Sequence, residues 1–404
     1  MKRLGGIYEK IYDMENLRLA HKNARKDKKL YKEVQMVNSN PDYYLKKIQD
    51  KLKAKKYHIS PKDYSVQVIR DKTKSRELRK LKYYPHRIIQ RAVMLQLENT
   101  FMSVFCDFVC ASVKGKGGNQ VMKLMDRYMR DEEWSKYCLK IDIQKFYPSI
   151  NHRILKTLLR KKIKDPDLLN LLDMIIDSFP WRKGLPIWSY LSQFLANYYL
   201  AYFDHRLKEE LKCKYVIRYM DDIVILDGSK KHLRYILKRI KAYLGWRLCL
   251  KVKDNRQIFP TWVRGVDFVG YRYFYGYRLL RKRTAQKLKR RAKSLKVKQN
   301  RHQLRKYRER CSINSYAGRL IHCDSWRLYE KYIDPILPSI INYYMLVINS
   351  HKAKKFERKI RRLKWRKTWD HLSHKRNAEW EKKESTTTTT DVHVVNSEPP
   401  TPWM

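Results

Sequence analysis

The sequence predicts an α+β fold in which an antiparallel hairpin is combined with many helices. Residues 214–217 and 223–226 are apolar and rich in strand formers, and a short acidic tip separates them, which is typical of a β-hairpin. Residues 137–143 indicate a further strand that ends in an aspartate. Helical spacing of apolar residues at 88–97, and in two stretches between 154 and 176, predicts helices. Residues 57–61 and 64–69 are predicted as short strands.

Asp221 and Asp222 form the acidic tip of the hairpin. Aspartate has low strand propensity and adjacent carboxylates repel each other, so a polar turn is the simplest interpretation. The flanking strands are expected to be buried, however, and uncompensated charge is costly there. A divalent cation such as Mg²⁺ binds carboxylate oxygens and would offset that charge.

Asp142, at the end of the 137–143 strand, is the third acid that such a metal site needs. Together with Asp221 and Asp222 it could hold two metal ions about 4 Å apart, the arrangement used for in-line displacement at phosphorus. A strand-end cap is the alternative role for Asp142 considered alone.

The charge of the chain points to a polyanionic partner. There are 92 Lys and Arg residues against 40 Asp and Glu residues, a formal net charge of +52. Nucleic acid is the first candidate and an acidic membrane surface the second. The 30 tyrosines and 10 tryptophans among the basic residues suit stacking on bases. The sequence has neither a signal peptide nor an apolar stretch long enough to span a membrane, and its seven cysteines are scattered, so a cytoplasmic protein is expected.

Two loops are further candidates for contacts with phosphates or bases. Residues 111–119 combine glycines with lysines, including Lys116, and predict either a phosphate-contacting loop or a mobile basic one. They lack the spacing of a Walker loop. Residues 183–193 form a turn-rich loop before an apolar helix at 194–207, with Ser192 as its N-cap. Gln193, at the start of that helix, faces a base pair or serves in capping.

In this order and spacing, Asp142, the 183–193 loop and the box Tyr219-Met220-Asp221-Asp222 resemble the palm of reverse transcriptases. The resemblance covers about residues 83–281. It implies a right-hand polymerase fold with fingers, a palm carrying an antiparallel sheet, and a helical thumb. It also implies an RNA-directed DNA polymerase whose partners are template RNA, a cDNA or primer strand, and dNTPs. Two Mg²⁺ ions, or Mn²⁺ in their place, are the implied cofactors.

The resemblance assigns roles to individual residues. The catalytic, metal-binding carboxylates would be Asp142, Asp221 and Asp222, with Ile143 beside them. Tyr147 would be the steric gate that excludes a ribose 2′-hydroxyl, or a core aromatic. Lys253 would protonate the pyrophosphate leaving group, or be a solvated lysine. Further contacts to the nucleotide are implied for Lys116, Ile143, Phe146 and Gln193, with Arg79 and Lys82 as additional candidates. The primer grip would be Phe268, Val269 and Gly270.

The subgroup is predicted from residues 187–193, which resemble a motif of diversity-generating retroelement enzymes, except that Trp188 replaces a glycine. Such an enzyme would be bacterial or phage-encoded, would copy its template with errors, and would work with an accessory protein. The alternatives are a phage-defence enzyme, a group II intron-like enzyme, and a non-catalytic RNA-binding scaffold. The scarcity of CxxC pairs and acids after residue 281 argues against zinc-ribbon endonuclease and RNase H domains.

Five segments are predicted along the chain. They are a basic helical extension at 1–75, fingers and palm at 76–281, a helical thumb at 282–350, a basic helix at 351–384, and a disordered tail at 385–404.

Overall fold

The computed structural model of the protein describes residues 3–71, 74–179, 183–186, 189–301 and 306–336. The chain divides into two units, Met1–Thr261 and Trp262–Met404. Both units combine helices with antiparallel sheets in their described parts, so the predicted α+β class is confirmed. The predicted helix at 351–384 and tail at 385–404 lie outside the described residues, as does Trp188, and the other predicted domain limits remain predictions.

The first unit begins with four short helices: α1 (Tyr8–Tyr12), α2 (Met14–Ala24), α3 (Lys32–Ser39) and α4 (Pro41–Lys53). Side chains cap two of them, since Asp13 accepts hydrogen bonds from the second and third residues of α2, and Asn40 accepts one from Tyr43 in α4. Pro41 occupies the first position of α4, where its missing N–H has no helical partner to lose. Capping residues thus define where α2 and α4 begin.

A hairpin of β1 (Tyr64–Asp71) and β2 (Lys74–Leu81) follows and leads into α5 (Ile88–Met102). The strand predicted at 64–69 and the helix predicted at 88–97 are confirmed. The strand predicted at 57–61 is wrong. Ser60 and Asp63 instead form a capping box around a single 3₁₀ turn at Pro61–Asp63, and Pro61 has no N–H with which to join a sheet.

The central sheet consists of β3 (Tyr137–Asp142), β4 (Tyr215–Tyr219), β5 (Asp222–Asp227) and β6 (Gln257–Pro260). Its spatial order is β4-β5-β3-β6, and every neighbouring pair is antiparallel. The unbroken apolar run in β5 reflects its inner position, because side chains on both of its faces are buried. The hairpin and the strand that the sequence predicts are thus neighbours in one sheet.

The remaining helices up to residue 264 are α6 (Gly118–Tyr128), α7 (Phe146–Ser149), α8 (His152–Arg160), α9 (Pro166–Asp177), α10 (Tyr190–Tyr199), α11 (Ala201–Glu209), α12 (Lys230–Leu248) and α13 (Thr261–Arg264). Of these, α6 contacts β4, and α12 contacts β3, β5 and β6. The helix predicted at 194–207 is in fact two helices, which are separated at Leu200. The prediction of Ser192 as N-cap is also wrong. Ser189 caps α10, and its hydroxyl accepts the Ser192 N–H at 3.4 Å.

The second unit contains β7 (Val266–Phe268), β8 (Tyr271–Tyr273) and β9 (Arg278–Leu280) in an antiparallel sheet, followed by α14 (Lys282–Asn300), α15 (Lys306–Leu320) and α16 (Trp326–Tyr332). Leu288, Ala292 and Leu295 form the buried stripe of α14, and most of its lysines and arginines are exposed. None of the helices in the described ranges has the length and apolar character needed to cross a bilayer.

Candidate active site

The three predicted metal-binding aspartates lie together at one end of the central sheet. Asp222 is the first residue of β5 and pairs directly with Asp142, the last residue of β3. Directly paired residues of antiparallel strands project from the same face, so both carboxylates lie on one side of the sheet. Asp221 belongs to the two-residue turn between β4 and β5, and its carbonyl accepts the Ile143 N–H at 3.2 Å.

The turn has a strained backbone. Met220 has φ 57° in the left-handed region, which residues other than glycine seldom occupy. Such conformations persist only where surrounding contacts enforce them. The position of Asp221 therefore depends on what holds Met220.

The environment of the Asp221 carboxylate is unfavourable to its ionised form. Burial raises the pKa of Asp221 to about 6, with further contributions from the carboxylates of Asp142 and Asp222, while Lys253 opposes the rise. One oxygen of Asp142, Oδ1, is buried without a hydrogen-bond partner. The other, Oδ2, accepts a hydrogen bond from the Lys253 ammonium. Lys253 thus compensates part of the negative charge of Asp142.

The donor set fits a hard divalent cation. Mg²⁺ prefers carboxylate oxygens and completes its shell with water and substrate phosphates, and the orphaned Oδ1 of Asp142 is a buried oxygen of this kind. As the side chains stand, no group of three or more His, Cys, Asp or Glu residues within the described ranges is arranged to hold a metal ion. The residues are therefore suitable in chemistry and location, but the ion pair with Lys253 occupies one of the oxygens.

Phe146 and Tyr147 begin the short helix α7 just after Asp142. Phe146 is buried, whereas Tyr147 is half-buried, with its hydroxyl 3.7 Å from the sulfur of Met220. Burial raises the pKa of the Tyr147 phenol, and the nearby Asp221 carboxylate raises it further. The predicted steric gate thus lies directly beside the acidic turn.

Lys116 contacts a different aspartate. Its ammonium donates to the carbonyl of Asp107 at 3.1 Å and lies 3.7 Å from the Asp107 carboxylate. Lys82 is similarly engaged, 3.4 Å from the carboxylate of Asp63. The predicted nucleotide contacts of these two lysines therefore remain predictions.

Gln193 and Arg79, two further residues predicted to contact the nucleotide, both line a basic cavity of about 350 Å³. Its charged lining is entirely cationic and comprises Lys26, Lys28, Arg79, Lys80, Arg87 and Arg91. Gln90 and Ser189 add polar groups, and the guanidinium of Arg91 lies 4.3 Å from the ring centre of Tyr190. Burial, assisted by Arg87, lowers the pKa of Lys28. A cavity with this lining suits a phosphate-bearing ligand.

The predicted primer-grip residues belong to the second unit. Phe268 ends β7, and Val269 and Gly270 form the turn to β8 with φ values of 40° and 92°. These residues thus form a tight turn, and their role as a primer grip remains a prediction.

Sequence reasoning missed a buried polar network below the acidic turn. Arg218 and Asp204 are both fully buried and form a two-pronged ion pair, with Nε to Oδ1 at 2.8 Å and Nη2 to Oδ2 at 2.5 Å. Burial raises the pKa of Asp204, and the guanidinium opposes that rise. The available signal was a charged residue within an apolar strand, which requires a buried partner.

Comparison with known proteins agrees with this geometry. Residues 69–273 match a family model described as "Reverse transcriptase (RNA-dependent DNA polymerase)". A relative from Arabidopsis thaliana, "Nuclear intron maturase 4, mitochondrial", is 25% identical over 186 residues, which are 44% of this chain and 23% of the relative. A relative from Saccharomyces cerevisiae, "Putative COX1/OXI3 intron 2 protein", is 21% identical over 350 residues, which are 65% of this chain and 40% of the relative.

The chain thus spans less than half the length of these two relatives. Among solved structures, an apo telomerase from Candida tropicalis superposes with a TM-score of 0.46 and 12% identity. That superposition covers 81% of this chain and 67% of the telomerase chain.

Proposed function

This chain belongs to the reverse transcriptase family, and from that premise we propose that it is an RNA-directed DNA polymerase that extends a primer on an RNA template. The observation that carries the proposal is the convergence of Asp142, Asp221 and Asp222 at one end of the central sheet. A scaffold that only binds RNA has no need to place three repelling carboxylates in one partly buried location.

In the proposed reaction, the primer 3′-hydroxyl loses its proton to solvent, and its oxygen forms a bond to the α-phosphorus of a dNTP. The bond from that phosphorus to the β-phosphate oxygen breaks, and pyrophosphate leaves. Asp142, Asp221 and Asp222 would hold two divalent ions, Mg²⁺ or Mn²⁺. When bound, such ions lower the pKa of the hydroxyl and neutralise charge on the triphosphate.

Lys253 has a position suited to proton donation. Its ammonium contacts Asp142, and its backbone N–H donates to the Asp142 carbonyl at 2.8 Å, so the main chain fixes it beside the acids. We propose that Nζ of Lys253 gives a proton to the leaving pyrophosphate, which would otherwise depart with an additional charge.

Substrate selection is assigned to two features. Tyr147 would exclude a ribose 2′-hydroxyl, because its half-buried ring lies beside the turn that carries Asp221. The basic cavity that Arg79 and Gln193 share would bind phosphates of the template or of the incoming nucleotide.

For the lineage, we propose an enzyme of the group II intron type, because both curated relatives are named for introns. The diversity-generating retroelement type, supported by Ser192 and Gln193, and the phage-defence type are the other candidates. Sequencing the cDNA made by the purified chain discriminates among them. Faithful copies of the template support the intron type, errors concentrated at adenines support the retroelement type, and untemplated products support the defence type.

The central test is dNTP incorporation on an RNA template with a DNA primer by wild type and Asp221→Ala. We expect the variant to lose nearly all activity while it keeps its fold and its affinity for RNA. Asp254→Ala is the matched control, because Asp254 is an exposed aspartate adjacent to Lys253 in sequence. Activity of Asp221→Ala within about tenfold of wild type, or about 1.4 kcal/mol of barrier, contradicts the assignment.

A further inference from the structure

The buried Arg218 has two hydrogen-bond partners beyond Asp204, the residue that neutralises its charge. Besides its two contacts with Asp204, the guanidinium donates through Nη1 to the Met220 carbonyl at 3.1 Å. The same nitrogen donates to Oδ1 of Asn197 at 2.9 Å. A guanidinium holds its donors in a rigid plane, so fixing two of them on Asp204 fixes the direction of the third.

The direction in which Arg218 projects explains how it supports the turn. Arg218 pairs with Ile223 across the hairpin, and Ile223 projects to the opposite side of the sheet from Asp222. The Arg218 side chain therefore lies behind the carboxylates and reaches the turn from below. It contacts the carbonyl of Met220, the residue with the strained left-handed backbone.

Asn197 connects residues 108–111 to the Arg218 guanidinium. Its Nδ2 donates to the carbonyl of Ala111 at 2.8 Å while its Oδ1 accepts from Arg218. The backbone of Arg218 also bonds residues 108–111, since its N–H donates to the Phe108 carbonyl and its carbonyl accepts the Cys110 N–H, both at 3.0 Å. The start of the glycine- and lysine-rich loop and the acidic turn thus share one support.

Stability alone does not account for this network. Replacing a buried ion pair by apolar residues of similar size is often neutral or stabilising. Retaining one at full burial is better explained by a geometric requirement. The geometry in question is the main-chain path through Met220 and Asp221, which also sets the hydrogen bond from Ile143 to the Asp221 carbonyl.

We propose that Arg218, held by Asp204 and Asn197, is a positioning residue that fixes the Met220-Asp221 turn and thereby aligns the Asp221 carboxylate with Asp142. The proposal rests on the proposed polymerase function for its catalytic consequence. Its structural consequence, loss of order in the turn, is independent of that function.

The decisive experiment replaces both charges at once, in the full-length Arg218→Met/Asp204→Leu variant. No charge is then left buried and unpaired, but Oδ1 of Asn197 and the Met220 carbonyl each lose a donor, so we expect the variant to fold with a somewhat lower melting temperature than wild type. We expect kcat to fall about 100-fold with KM for the template–primer nearly unchanged, because misplacement of a reacting group by about 1 Å has an effect of that size.

Hydrogen exchange provides a readout that does not require activity. In the double variant, we expect faster amide exchange at Ile143, whose N–H donates to the Asp221 carbonyl, and unchanged exchange in α4. A folded double variant with wild-type kcat and wild-type exchange at Ile143 overturns the proposal. If wild type itself incorporates no dNTP, the proposed function fails, and exchange still decides whether Arg218 orders the turn.

A second variant covers the case in which the double variant does not fold. Arg218→Lys keeps the charge opposite Asp204 but replaces the planar fork by a single ammonium, which cannot bond both Asp204 and the Met220 carbonyl in the same way. We expect a folded protein with reduced kcat and faster exchange at Ile143. Wild-type values for both in Arg218→Lys also overturn the proposal.

Discussion

The two oxygens of the Asp142 carboxylate have different surroundings. Oδ2 is paired with Lys253, whereas Oδ1 is buried without a partner. A buried unpaired acceptor ordinarily costs about 1–3 kcal/mol. Together with the raised pKa of Asp221, this cost places unfavourable interactions where the chemistry is proposed to occur.

The raised pKa of Asp221 predicts how pH affects stability. An acid whose pKa is higher in the folded than in the unfolded chain contributes stability that is lost as pH rises through the folded value. With an ordinary value of 3.8 and a folded value of about 6, the loss begins near the lower value and is complete above the higher one. Asp221→Asn has no carboxyl at this position and lacks this loss. The free energy of unfolding of Asp221→Asn minus that of wild type should therefore be larger by about 2 kcal/mol near pH 7 than near pH 4.5.

Urea unfolding of both proteins in metal-free buffer measures this difference. Asp254→Asn, which changes an exposed carboxylate, should show no comparable pH-dependent advantage. If the difference in free energy of unfolding between Asp221→Asn and wild type is the same at both pH values, the raised pKa of Asp221 is contradicted.

Tyr147 is expected to control sugar selection. Removing its ring in Tyr147→Ala opens space beside the acidic turn, so incorporation of ribonucleotides relative to deoxyribonucleotides should rise about tenfold or more. Tyr147→Phe loses only the hydroxyl, which lies 3.7 Å from the Met220 sulfur, and should discriminate like wild type. The ratio of kcat/KM values for dCTP and CTP tests this, and an unchanged ratio in Tyr147→Ala would count against the gate.

Sequence and structure differ in a systematic way at the residue scale. Asp221 and Asp222 stand out in the sequence because an acidic pair interrupts two apolar runs. The pairing of Arg218 with Asp204 and of Lys253 with Asp142 does not stand out, because each joins residues from different elements. Residue type therefore predicted the acidic site. Only the folded structure, in which α11 packs near the sheet, showed which basic residues contact the acidic turn and Asp142.

At the scale of elements, local signals predicted the β4–β5 hairpin and the helices α5, α8 and α9, but they merged α10 with α11 and missed α12. Two other errors arose where one polar residue had two alternative uses. Ser60 and Asp63 cap a 3₁₀ turn where a strand was expected, and Ser189 caps α10 where Ser192 was expected. Ser189 and Ser192 both precede residues that could start a helix, and only the observed backbone shows which of the two is the N-cap.

The N-cap of α10 provides a direct prediction. Ser189 accepts the Ser192 N–H and donates to the Gln90 side chain at 2.5 Å. Ser189→Ala should therefore lower the free energy of unfolding by about 1 kcal/mol or more. Ser192→Ala, which removes a hydroxyl that does not cap the helix, should cost less. Chemical denaturation of the two variants measures the order, and the reverse order would contradict the assignment of Ser189.

At the scale of the whole molecule, the right-hand polymerase fold implied by the resemblance to reverse transcriptases is confirmed by the family match over residues 69–273. The sheet order β4-β5-β3-β6 could not be predicted, because β6 pairs with a strand far away in sequence. Such long-range pairings depend on the total packing of the unit and leave little trace in local patterns.

The formal net charge of +52 predicts strongly salt-dependent RNA binding, and α14 offers a place to test which charges matter. Its exposed residues include Lys287, Arg290 and Lys293. If all three contact phosphates of a template–primer duplex, changing them to glutamine should reduce the slope of log K against log salt by about 2 to 3.

The matched control changes three exposed lysines of α12, Lys231, Lys238 and Lys241, to glutamine. It lowers the net charge equally, so it should affect the slope far less if binding is localised on α14. Equal slopes for the two triple variants would mean that total charge, and not α14, determines the salt dependence.

The direct pairing of Asp142 with Asp222 restricts how this region can change during evolution. A strand alternates its side chains between two faces, so gaining or losing one residue within β3 or β5 would turn an acid inward and an isoleucine outward. Descendants of this gene can vary here by exchanging one amino acid for another, but a single-codon insertion or deletion in either strand would abolish the site in one event. Length variation among homologues should therefore be absent from these two strands and concentrated in the loops between them.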